Sequence, residues 1–276
     1  MILVVGADGM LGRDMLALIG AAGRGVDIGE IDITSLESTE RVIRTLKPEA
    51  VINCAAYTDV DGCETNVETA MQVNGEGVAH LAMATREIGA RLVHVSTDYV
   101  FDGGKGRPYV EDDAPCPLGV YGESKLAGEL NAGFNPDHLI VRTQWLFGLH
   151  GKNFVETMLR LAVEKDELSV VDDQIGSPTW TVDLSHAVLA LLKTDHRGIY
   201  HAANSGFCSW NGFAQAIFEE AGLSVRVHGM TTDELNRAAR RPLYSTLDCS
   251  KLEQDTGFRP QPWRSALKMY LQLRNK

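Results

Sequence analysis

The amino-acid sequence predicts an α/β fold built on a doubly wound parallel sheet. Short apolar runs rich in β-branched residues alternate with longer amphipathic stretches through the first half of the chain, which is typical of buried parallel strands joined by helices. Such connections are crossovers that cover both faces of the sheet. The 276 residues, 44% of them hydrophobic and 23% charged, fit a globular protein with one large unit, or with a main domain and a smaller lobe.

The elements of the first half follow from these two patterns. The apolar runs predicted as strands are 2–5, 50–53, 92–95 and 139–141. The stretches with apolar residues three and four positions apart, predicted as helices, are 10–19, 35–46 and 70–88. Thr34 and Glu37 form a capping-box pattern at the start of the second helix, and Lys47-Pro48 ends it.

The alternation becomes less regular after about residue 145, which indicates a smaller C-terminal lobe. Helices are predicted there at 153–163, 182–192, 210–220 and 263–273. The run 199–202 is a single strand that can return to the main sheet, so the division is not one clean cut. The predicted main domain covers 1–147 and about 181–205, and the predicted lobe covers about 148–180 and 206–276.

Charge and residue usage argue against several classes of protein. The 26 Lys and Arg against 37 Asp and Glu give a net charge of −11, which repels nucleic acid. No apolar run approaches the roughly 20 residues of a membrane span, and the chain starts directly with a strand, so we expect no membrane contact and a cytoplasmic location. The five cysteines contain no Cys-x-x-Cys pair and the eight histidines no His-x-x-x-His pair, so we expect neither disulfides nor a metal.

Three glycines join the first strand to the first helix in the run Gly6-Ala7-Asp8-Gly9-Met10-Leu11-Gly12. Gly6 permits a tight turn, Gly9 lets the backbone approach a pyrophosphate, and Gly12 lets the helix pack on the strand. This context predicts a Rossmann-type dinucleotide-binding main domain and therefore a substrate-binding lobe. The spacing Gly-x-x-Gly-x-x-Gly is typical of short-chain and extended short-chain reductases and epimerases.

An acidic residue at the end of the second strand usually holds the ribose hydroxyls of the dinucleotide. Asp27 lies at about the right distance, but the segment 23–30 around it is glycine-rich and makes a poor strand. The sequence therefore leaves the cofactor as NADPH or NADH. Asp32, framed by Ile31 and Ile33, can either contact the adenine or cap the next helix.

Thr97, Tyr121 and Lys125 carry the predicted chemistry. Thr97 closely follows a strand, and Tyr121 and Lys125 are four positions apart on one helix face. A free phenol has a pKa near 10 and is a poor proton donor or acceptor at neutral pH. An ammonium about 4 Å away contributes on the order of 4 kcal/mol at an effective dielectric constant of about 20, so we expect Lys125, helped by the positive charge of a nicotinamide, to lower the pKa of Tyr121 by roughly 3 units.

These roles define a reaction class. The set predicts reduction of a carbonyl by hydride transfer, with Tyr121 as the general acid and Thr97 as the residue that positions the substrate oxygen. Lys125 is the electrostatic partner of the phenol and a contact for the ribose.

The sequence resembles the dTDP-4-dehydrorhamnose reductase family, which belongs to the extended short-chain dehydrogenase/reductase group. The resemblance spans almost the whole chain and is carried by the segments 6–12, 53–61, 73–74, 96–103, 121–129, 142–148, 153–154, 173–179, 203–206, 209–210 and 241–242.

The resemblance implies reduction of the 4-keto group of dTDP-4-dehydro-β-L-rhamnose to dTDP-β-L-rhamnose, the last step in the synthesis of a rhamnose donor for polysaccharides. The cofactor is then NADPH or NADH. Beside Gly6 and Gly12, the cofactor contacts that it implies are Gly9, Met10, Leu11, Asp32, Ile33, Ala55, Ala56, Tyr57, Tyr121 and Lys125. The substrate contacts that it implies are Thr97, Asp98 and Trp145.

Arg241 is a further candidate for substrate binding, because a planar guanidinium can bind a phosphate through two hydrogen bonds. Some members of the family hold magnesium through glutamates near a dimer contact. Arg264 stands in the corresponding stretch here and cannot ligate a cation, so we expect no required metal. A homodimer is left open.

Two other functions remain open from the sequence. A nucleotide-sugar epimerase shares the Tyr and Lys pair but keeps NAD tightly bound and regenerates it in each cycle. A non-catalytic NADP-binding regulatory subunit of the methionine adenosyltransferase type has a similar chain. The complete set of Thr97, Tyr121 and Lys125 argues against this second alternative.

Overall fold

The computed structural model describes residues 1–275, and its centre is a six-stranded parallel sheet. The strands are β1 (Ile2–Val5), β2 (Gly23–Val26), β3 (Ala50–Asn53), β4 (Arg91–Thr97), β5 (His138–Thr143) and β10 (Gly198–His201). Their order across the sheet is β10-β5-β4-β3-β1-β2, so the direction of winding reverses between β1 and β3. Ligands bind at such a reversal, outside the carboxyl ends of the strands. The doubly wound sheet predicted from the sequence is confirmed.

Helices cover both faces of the sheet. One face carries α1 (Met10–Ile19), α8 (Thr181–Leu192) and α11 (Ser250–Thr256), and the other carries α2 (Leu36–Leu46), α5 (Gly77–Glu87) and α6 (Val120–Ala132). Successive residues of a strand point to opposite faces. Val4 accordingly packs with Met15 and Leu184 on one face, whereas Leu3 packs with Leu81 on the other.

The C-terminal lobe has a hydrophobic core of its own, centred on Phe147, Val155, Phe213, Ile217 and Tyr270. Its elements are β6 (Leu146–Phe147), α7 (Phe154–Ala162), β7 (Glu167–Val171), β8 (Ile175–Gly176), β9 (Thr179–Trp180), β11 (Cys208–Ser209), α9 (Trp210–Glu220), β12 (Arg226–Met230), α10 (Thr232–Leu235) and α12 (Trp263–Arg274). The strands pair two by two, as β7 with β12, β6 with β9 and β8 with β11.

The remaining elements are short helical segments. They are α3 (Val60–Cys63), α4 (Val67–Met71), a π-helix (Gln72–Glu76) and two 3₁₀ turns (Gly20–Ala22 and Asp98–Val100). Among residues 1–275, no helix combines the length and the hydropathy that crossing a lipid bilayer requires.

The prediction that 23–30 makes a poor strand is wrong for its first four residues, because Gly23–Val26 forms β2 and pairs with β1. The glycines permit this strand instead of preventing it. A Cβ added at Gly25 would lie 2.6 Å from a methyl carbon of Leu16 and 2.7 Å from Cβ of Ala7. The first helix therefore packs on the edge strand at a distance that only glycine allows.

Two details of the predicted helices also differ. The second helix is capped by Ser35, whose hydroxyl accepts the N–H of Ser38, so the predicted capping box of Thr34 and Glu37 does not form. The helical stretch predicted at 70–88 begins earlier and consists of α4, the π-helix and α5. The predicted strand at 199–202 does return to the sheet, beside β5.

We expect Gly25→Ala to destabilise the protein by about 1–3 kcal/mol, because the added methyl group has no space between Leu16 and Ala7. Gly29→Ala is the matched control, since a Cβ at Gly29 meets nothing within 4 Å. Urea unfolding of both variants measures the difference. Equal free energies of unfolding for the two variants would show that the edge strand does not depend on this close approach.

Candidate active site

The loop after β1 forms a cradle for an anion. Gly6 has a φ of +78°, and a Cβ at this position would lie 2.6 Å from the backbone nitrogen of Ala55. A Cβ at Gly12 would collide with the carbonyl oxygen of Gly6. Helix α1 then begins at Met10 with no side-chain cap and no acidic residue in its first turn. Its N-terminal amides and the positive end of its dipole are thus left for a phosphate group.

A cavity of about 320 Å³ lies beside this loop, at the carboxyl ends of β1 and β3. The predicted cofactor residues that line it are Gly6, Gly9, Asp32, Ile33, Ala55 and Ala56. Leu11 instead packs in the core, the sulfur of Met10 faces Asn153 at 3.9 Å, and Tyr57 is held through its backbone by Asn74. The cavity therefore collects part of the predicted set. The members outside its lining are Met10, Leu11, Gly12, Tyr57, Tyr121 and Lys125.

Asp27 follows β2 directly and lines the same cavity. Its carboxylate accepts the backbone N–H of Asp8 at 2.8 Å and that of Ile28 at 2.8 Å. An acidic side chain at this place suits ribose hydroxyls. Asp32 lines the cavity and also accepts the N–H and hydroxyl of Thr34, so it serves as a turn cap while facing the cavity.

Lys125 is buried under the carboxyl edge of the sheet. Helix α6 carries both Tyr121 and Lys125, and the Lys125 ammonium donates to the carbonyl oxygen of Val95 in β4 at 2.7 Å. Burial lowers the pKa of Lys125 to about 8, although Glu129 and Cys54 oppose this shift. The Lys125 side chain is therefore mostly a charged ammonium at neutral pH, and it loses this charge as the pH rises through about 8.

The expectation that Lys125 lowers the pKa of Tyr121 is not met. Burial raises the pKa of Tyr121 above its ordinary value, the carboxylate of Asp98 raises it further, and a hydrogen bond with Thr97 only partly opposes them. The sequence pattern shows the shared helix face but not the burial of the phenol. A raised pKa keeps Tyr121 protonated at neutral pH, which is the form that donates a proton.

Thr97 is hydrogen-bonded on the protein side of the cleft. Its hydroxyl donates to Asp98 at 3.0 Å and accepts the N–H of Tyr99 at 3.2 Å. Asp98 is 1% exposed and also accepts the hydroxyl of Ser245 at 2.5 Å. Burial raises the pKa of Asp98 to about 6, although these hydrogen bonds lower it. Thr97 can give its proton to a substrate oxygen only by exchanging its bond to Asp98.

A buried ion pair fixes α6 on the sheet. Glu129 accepts two hydrogen bonds from the guanidinium of Arg142 in β5, at 2.8 and 2.7 Å, and one from the hydroxyl of Ser96 in β4 at 2.5 Å. Glu129 lies one helical turn beyond Lys125, so the pair sets the position of the face of α6 that carries Tyr121 and Lys125. The sequence gives no sign of this pairing, because either residue alone is an ordinary charged side chain.

Asn74, in the π-helix, is a second positioning residue that the sequence does not reveal. Its amide accepts the N–H of Tyr57 at 2.8 Å and donates to the Tyr57 carbonyl and to the hydroxyl of Ser124 in α6, both at 3.0 Å. The Asn74 backbone lies so close to Gly128 that a Cβ there would collide with it. Isolated π-turns are frequent at functional sites, and here the turn directs an amide at the cofactor wall and at α6.

Trp145 lies in a sandwich at the end of β5. Its ring stacks on Trp210 with centroids 3.6 Å apart and planes 10° apart. A Cβ at Gly176 would lie 2.5 Å from Cε2 of Trp145, and the three atoms nearest to it all belong to Trp145 and none to Trp210. The Gly176 backbone therefore covers the face of the Trp145 indole that is turned away from Trp210. Trp145 also has a left-handed φ of +47°, which costs free energy in a bulky residue. The faces of this indole are therefore covered within the protein, and the residue as a whole is half-buried.

Arg241 is already bonded within the protein. Its guanidinium donates to both carboxylate oxygens of Asp61, at 3.1 and 2.9 Å.

Within residues 1–275, no group of three or more His, Cys, Asp or Glu side chains is arranged to hold a metal ion. Arg264 pairs with Glu219 and Glu220. Independence of metal stays a prediction.

Similar proteins match along the whole chain. The family model described as RmlD substrate binding domain matches residues 1–275. A dTDP-4-dehydrorhamnose reductase from Streptomyces griseus is 46% identical over 277 residues, which cover 96% of this chain and 91% of the relative.

Two crystal structures are similar along their full lengths. A dTDP-4-dehydrorhamnose reductase from Clostridium acetobutylicum has a TM-score of 0.97 and 42% identity, with 100% of this chain and 99% of that chain covered. The enzyme of that name from Bacillus anthracis, in complex with NADP, has a TM-score of 0.96 and 38% identity, with 99% and 98% covered.

We expect Asp27→Asn to raise the affinity for NADPH relative to that for NADH by about tenfold or more, because it removes a negative charge that repels a 2′-phosphate. The asparagine keeps an acceptor oxygen for the backbone N–H of Asp8. Glu30→Gln is the control, since it removes an equal charge nearby outside the lining of the 320 Å³ cavity. Fluorescence titration of the free protein gives both dissociation constants. An unchanged ratio in Asp27→Asn would separate Asp27 from the choice of cofactor.

Proposed function

The chain belongs to the dTDP-4-dehydrorhamnose reductase family, and from this premise we propose that it reduces the 4-keto group of dTDP-4-dehydro-β-L-rhamnose to dTDP-β-L-rhamnose with NADPH or NADH. The observation that carries the proposal is the match over 96% of the chain at 46% identity. The placement of Thr97 and Tyr121 at the carboxyl edge of the sheet agrees with it. The product would be a rhamnose donor for polysaccharide synthesis.

The residues around the 320 Å³ cavity fit a nicotinamide dinucleotide, which supplies a hydride when bound. Gly6 and Gly9 leave the backbone free to approach a pyrophosphate at the start of α1. Ala55 and Ala56 are small enough to leave space along the wall, and Asp27 offers a carboxylate to the ribose. We assign cofactor contacts to these residues and to the remaining predicted set of Met10, Leu11, Gly12, Asp32, Ile33, Tyr57, Tyr121 and Lys125.

Tyr121 donates the proton that the substrate oxygen gains as hydride reaches the carbon. The phenol is fully protonated at neutral pH, but its raised pKa makes it a weaker acid, so this role needs a cation that stabilises the phenolate. Lys125 stabilises the phenolate that remains, and Thr97 and Asp98 position the substrate oxygen. These roles need the Thr97 hydroxyl to exchange its bond with Asp98 for one with the substrate.

The edge of the Trp145 indole contacts the sugar in this proposal, because both faces of the ring are covered. The main domain of 1–147 and about 181–205 binds the dinucleotide, and about 148–180 and 206–276 bind the substrate. A cytoplasmic location and a homodimer remain predictions. Arg241 as a diphosphate contact is a prediction that its pairing with Asp61 does not favour.

Product analysis tests the proposed function. The protein is incubated with NADPH and dTDP-4-dehydrorhamnose, the sugar is identified by NMR, and oxidation of the cofactor is followed by absorbance. We expect one NADPH consumed for each dTDP-β-L-rhamnose formed. Turnover without net oxidation would identify an epimerase, and cofactor binding without turnover would favour a regulatory subunit.

We expect Tyr121→Phe to lower kcat by about 100- to 10,000-fold, because the proton donor is lost while the ring is kept. The dissociation constant of NADPH should change little, and it serves as the internal control for folding. Steady-state kinetics and fluorescence titration measure the two quantities. An unchanged kcat would remove Tyr121 from the mechanism.

We expect kcat/KM to fall on the alkaline side with an apparent pKa near 8, because the pKa of Lys125 is lowered to about 8 and its ammonium is lost as the pH rises through that value. Lys125→Arg keeps the charge and should remove this limb, at a lower maximal rate. Lys268→Arg, on an exposed position of α12, is the control that should leave the profile unchanged. A wild-type profile that is flat up to pH 9.5 would contradict the assignment.

A further inference from the structure

We propose that Asp61 and Arg241 form a latch that fastens the segment 237–247 of the C-terminal lobe to the catalytic edge of the sheet and positions Tyr121 through Tyr99. Arg241 is then a positioning residue and not a contact for the substrate diphosphate. This inference rests on the proposed function.

The latch joins residues that are distant in sequence. Asp61 lies in the first turn of α3, which follows β3, whereas Arg241 lies in a loop between α10 and α11. Asp61 accepts the Arg241 guanidinium through both of its oxygens, at 3.1 and 2.9 Å, and the N–H of Ala239 at 3.1 Å. One carboxylate thus holds both the backbone and the side chain of the segment.

The donors of Arg241 are used inside the protein. Besides the two bonds to Asp61, one arm donates to the carbonyl oxygen of Ala239 at 3.0 Å, and the side chain is 16% exposed. Burial alone would lower the pKa of Arg241, but Asp61 and Tyr99 together outweigh it and the pKa lies above its ordinary value. Burial would likewise raise the pKa of Asp61, and the bond to Arg241 lowers it. Both groups are charged at neutral pH, and a bidentate, partly desolvated pair of this kind resists exchange for a ligand.

Tyr99 connects this pair to the catalytic phenol. Burial and Asp98 raise the pKa of the Tyr99 phenol and the nearby charge of Arg241 lowers it. The Tyr99 ring meets the ring of Tyr121 edge to face, with centroids 5.4 Å apart and planes 80° apart. The carbonyl oxygen of Tyr99 packs against Gly122 so closely that a Cβ there would collide with it. Movement of Arg241 therefore reaches Tyr121 through a single packed side chain.

The same segment contacts the site again at its other end. A Cβ at Gly103 would lie 2.6 Å from the backbone nitrogen of Leu243, so the segment crosses the Gly103 backbone at close range. The Leu243 carbonyl accepts the N–H of Ile175, and Ser245 donates through its hydroxyl to Asp98. With Arg241 held at one end and Ser245 at the other, the segment forms a wall of the cleft next to Thr97 and Tyr121.

The two possible roles of Arg241 predict opposite consequences for Asp61. If Arg241 binds a diphosphate, neutralising Asp61 frees the guanidinium and tightens nucleotide binding. If Arg241 is part of a latch, neutralising either partner loosens the segment and lowers the rate of the chemical step, while nucleotide binding changes little. The test compares Asp61→Asn, Arg241→Met and the double variant in the full chain. Arg237→Met is the matched control, because Arg237 lies 3.6 Å from the same carboxylate but is 58% exposed.

Three measurements are made on each variant: the dissociation constant of dTDP by calorimetry, kcat and KM with the 4-keto sugar nucleotide, and hydrogen exchange of 237–247. For Asp61→Asn and Arg241→Met we expect exchange about tenfold faster or more and kcat about 10- to 100-fold lower. Affinity for dTDP should stay within about threefold, and the double variant should be no worse than the poorer single one. Arg237→Met should resemble the wild type in all three.

Weakening of dTDP binding by about tenfold or more in Arg241→Met, with equal or tighter binding in Asp61→Asn, would overturn the latch in favour of a diphosphate contact. Unchanged hydrogen exchange in both single variants would also overturn it. If Arg241→Met does not fold, Arg241→Lys and the exchanged pair Asp61→Arg with Arg241→Asp replace it. The exchanged pair should recover part of the slow exchange of the wild type, because it restores the ion pair but not the acceptor for the Ala239 N–H. Failure of the wild type to reduce the sugar would count against the proposed function alone, because hydrogen exchange still decides the latch.

Discussion

The buried ion pair between Glu129 and Arg142 is the constraint on which the site depends. It joins α6 to β5, and the hydroxyl of Ser96 ties the same carboxylate to β4. Two charges out of water are tolerated only with their full set of hydrogen bonds, so the helix can dock on the sheet in one register. That register places Lys125 under the Val95 carbonyl and Tyr121 at the carboxyl edge of the sheet. A hydrophobic contact at this place would tolerate sliding, whereas a bidentate pair does not.

Burial explains how this site differs from the one expected on electrostatic grounds. Desolvation dominates the pKa values of the phenol, the lysine and the carboxylate of Asp98, and it moves each toward its neutral form. Tyr121 and Asp98 therefore hold their protons more tightly than they would in water, whereas Lys125 releases its proton more readily. In the proposed reduction, Tyr121 begins each cycle protonated but is a weaker acid than a free phenol, so the phenolate that it leaves needs stabilisation.

The elements that the sequence predicts well are those in which one local pattern determines the outcome. Strand β1, the glycine loop and α1 follow from hydrophobic periodicity and glycine spacing over a few neighbouring residues, and the sheet confirms them. Strand β2 is hidden because its two glycines look like a turn, although they are what lets α1 pack against it. The partner of Arg241 is equally hidden, since Asp61 lies 180 positions away and residue type alone suggests an anion site. The direction of the Tyr121 pKa shift could not be predicted because spacing along a helix says nothing about burial.

The π-helix between α4 and α5 has a consequence for how this chain can change in length. Each residue added to or removed from a helix turns everything beyond it by about 100°. The single wide turn at Gln72–Glu76 thus sets the phase between two helical stretches, so that Asn74 faces Tyr57 and Ser124 while Leu81 still faces the core. Because a π-turn contains one residue more than an α-turn, deletion of one residue here would convert it to an α-turn and leave α5 in phase with the sheet. The extra residue therefore serves the position of the Asn74 amide and not the packing of α5.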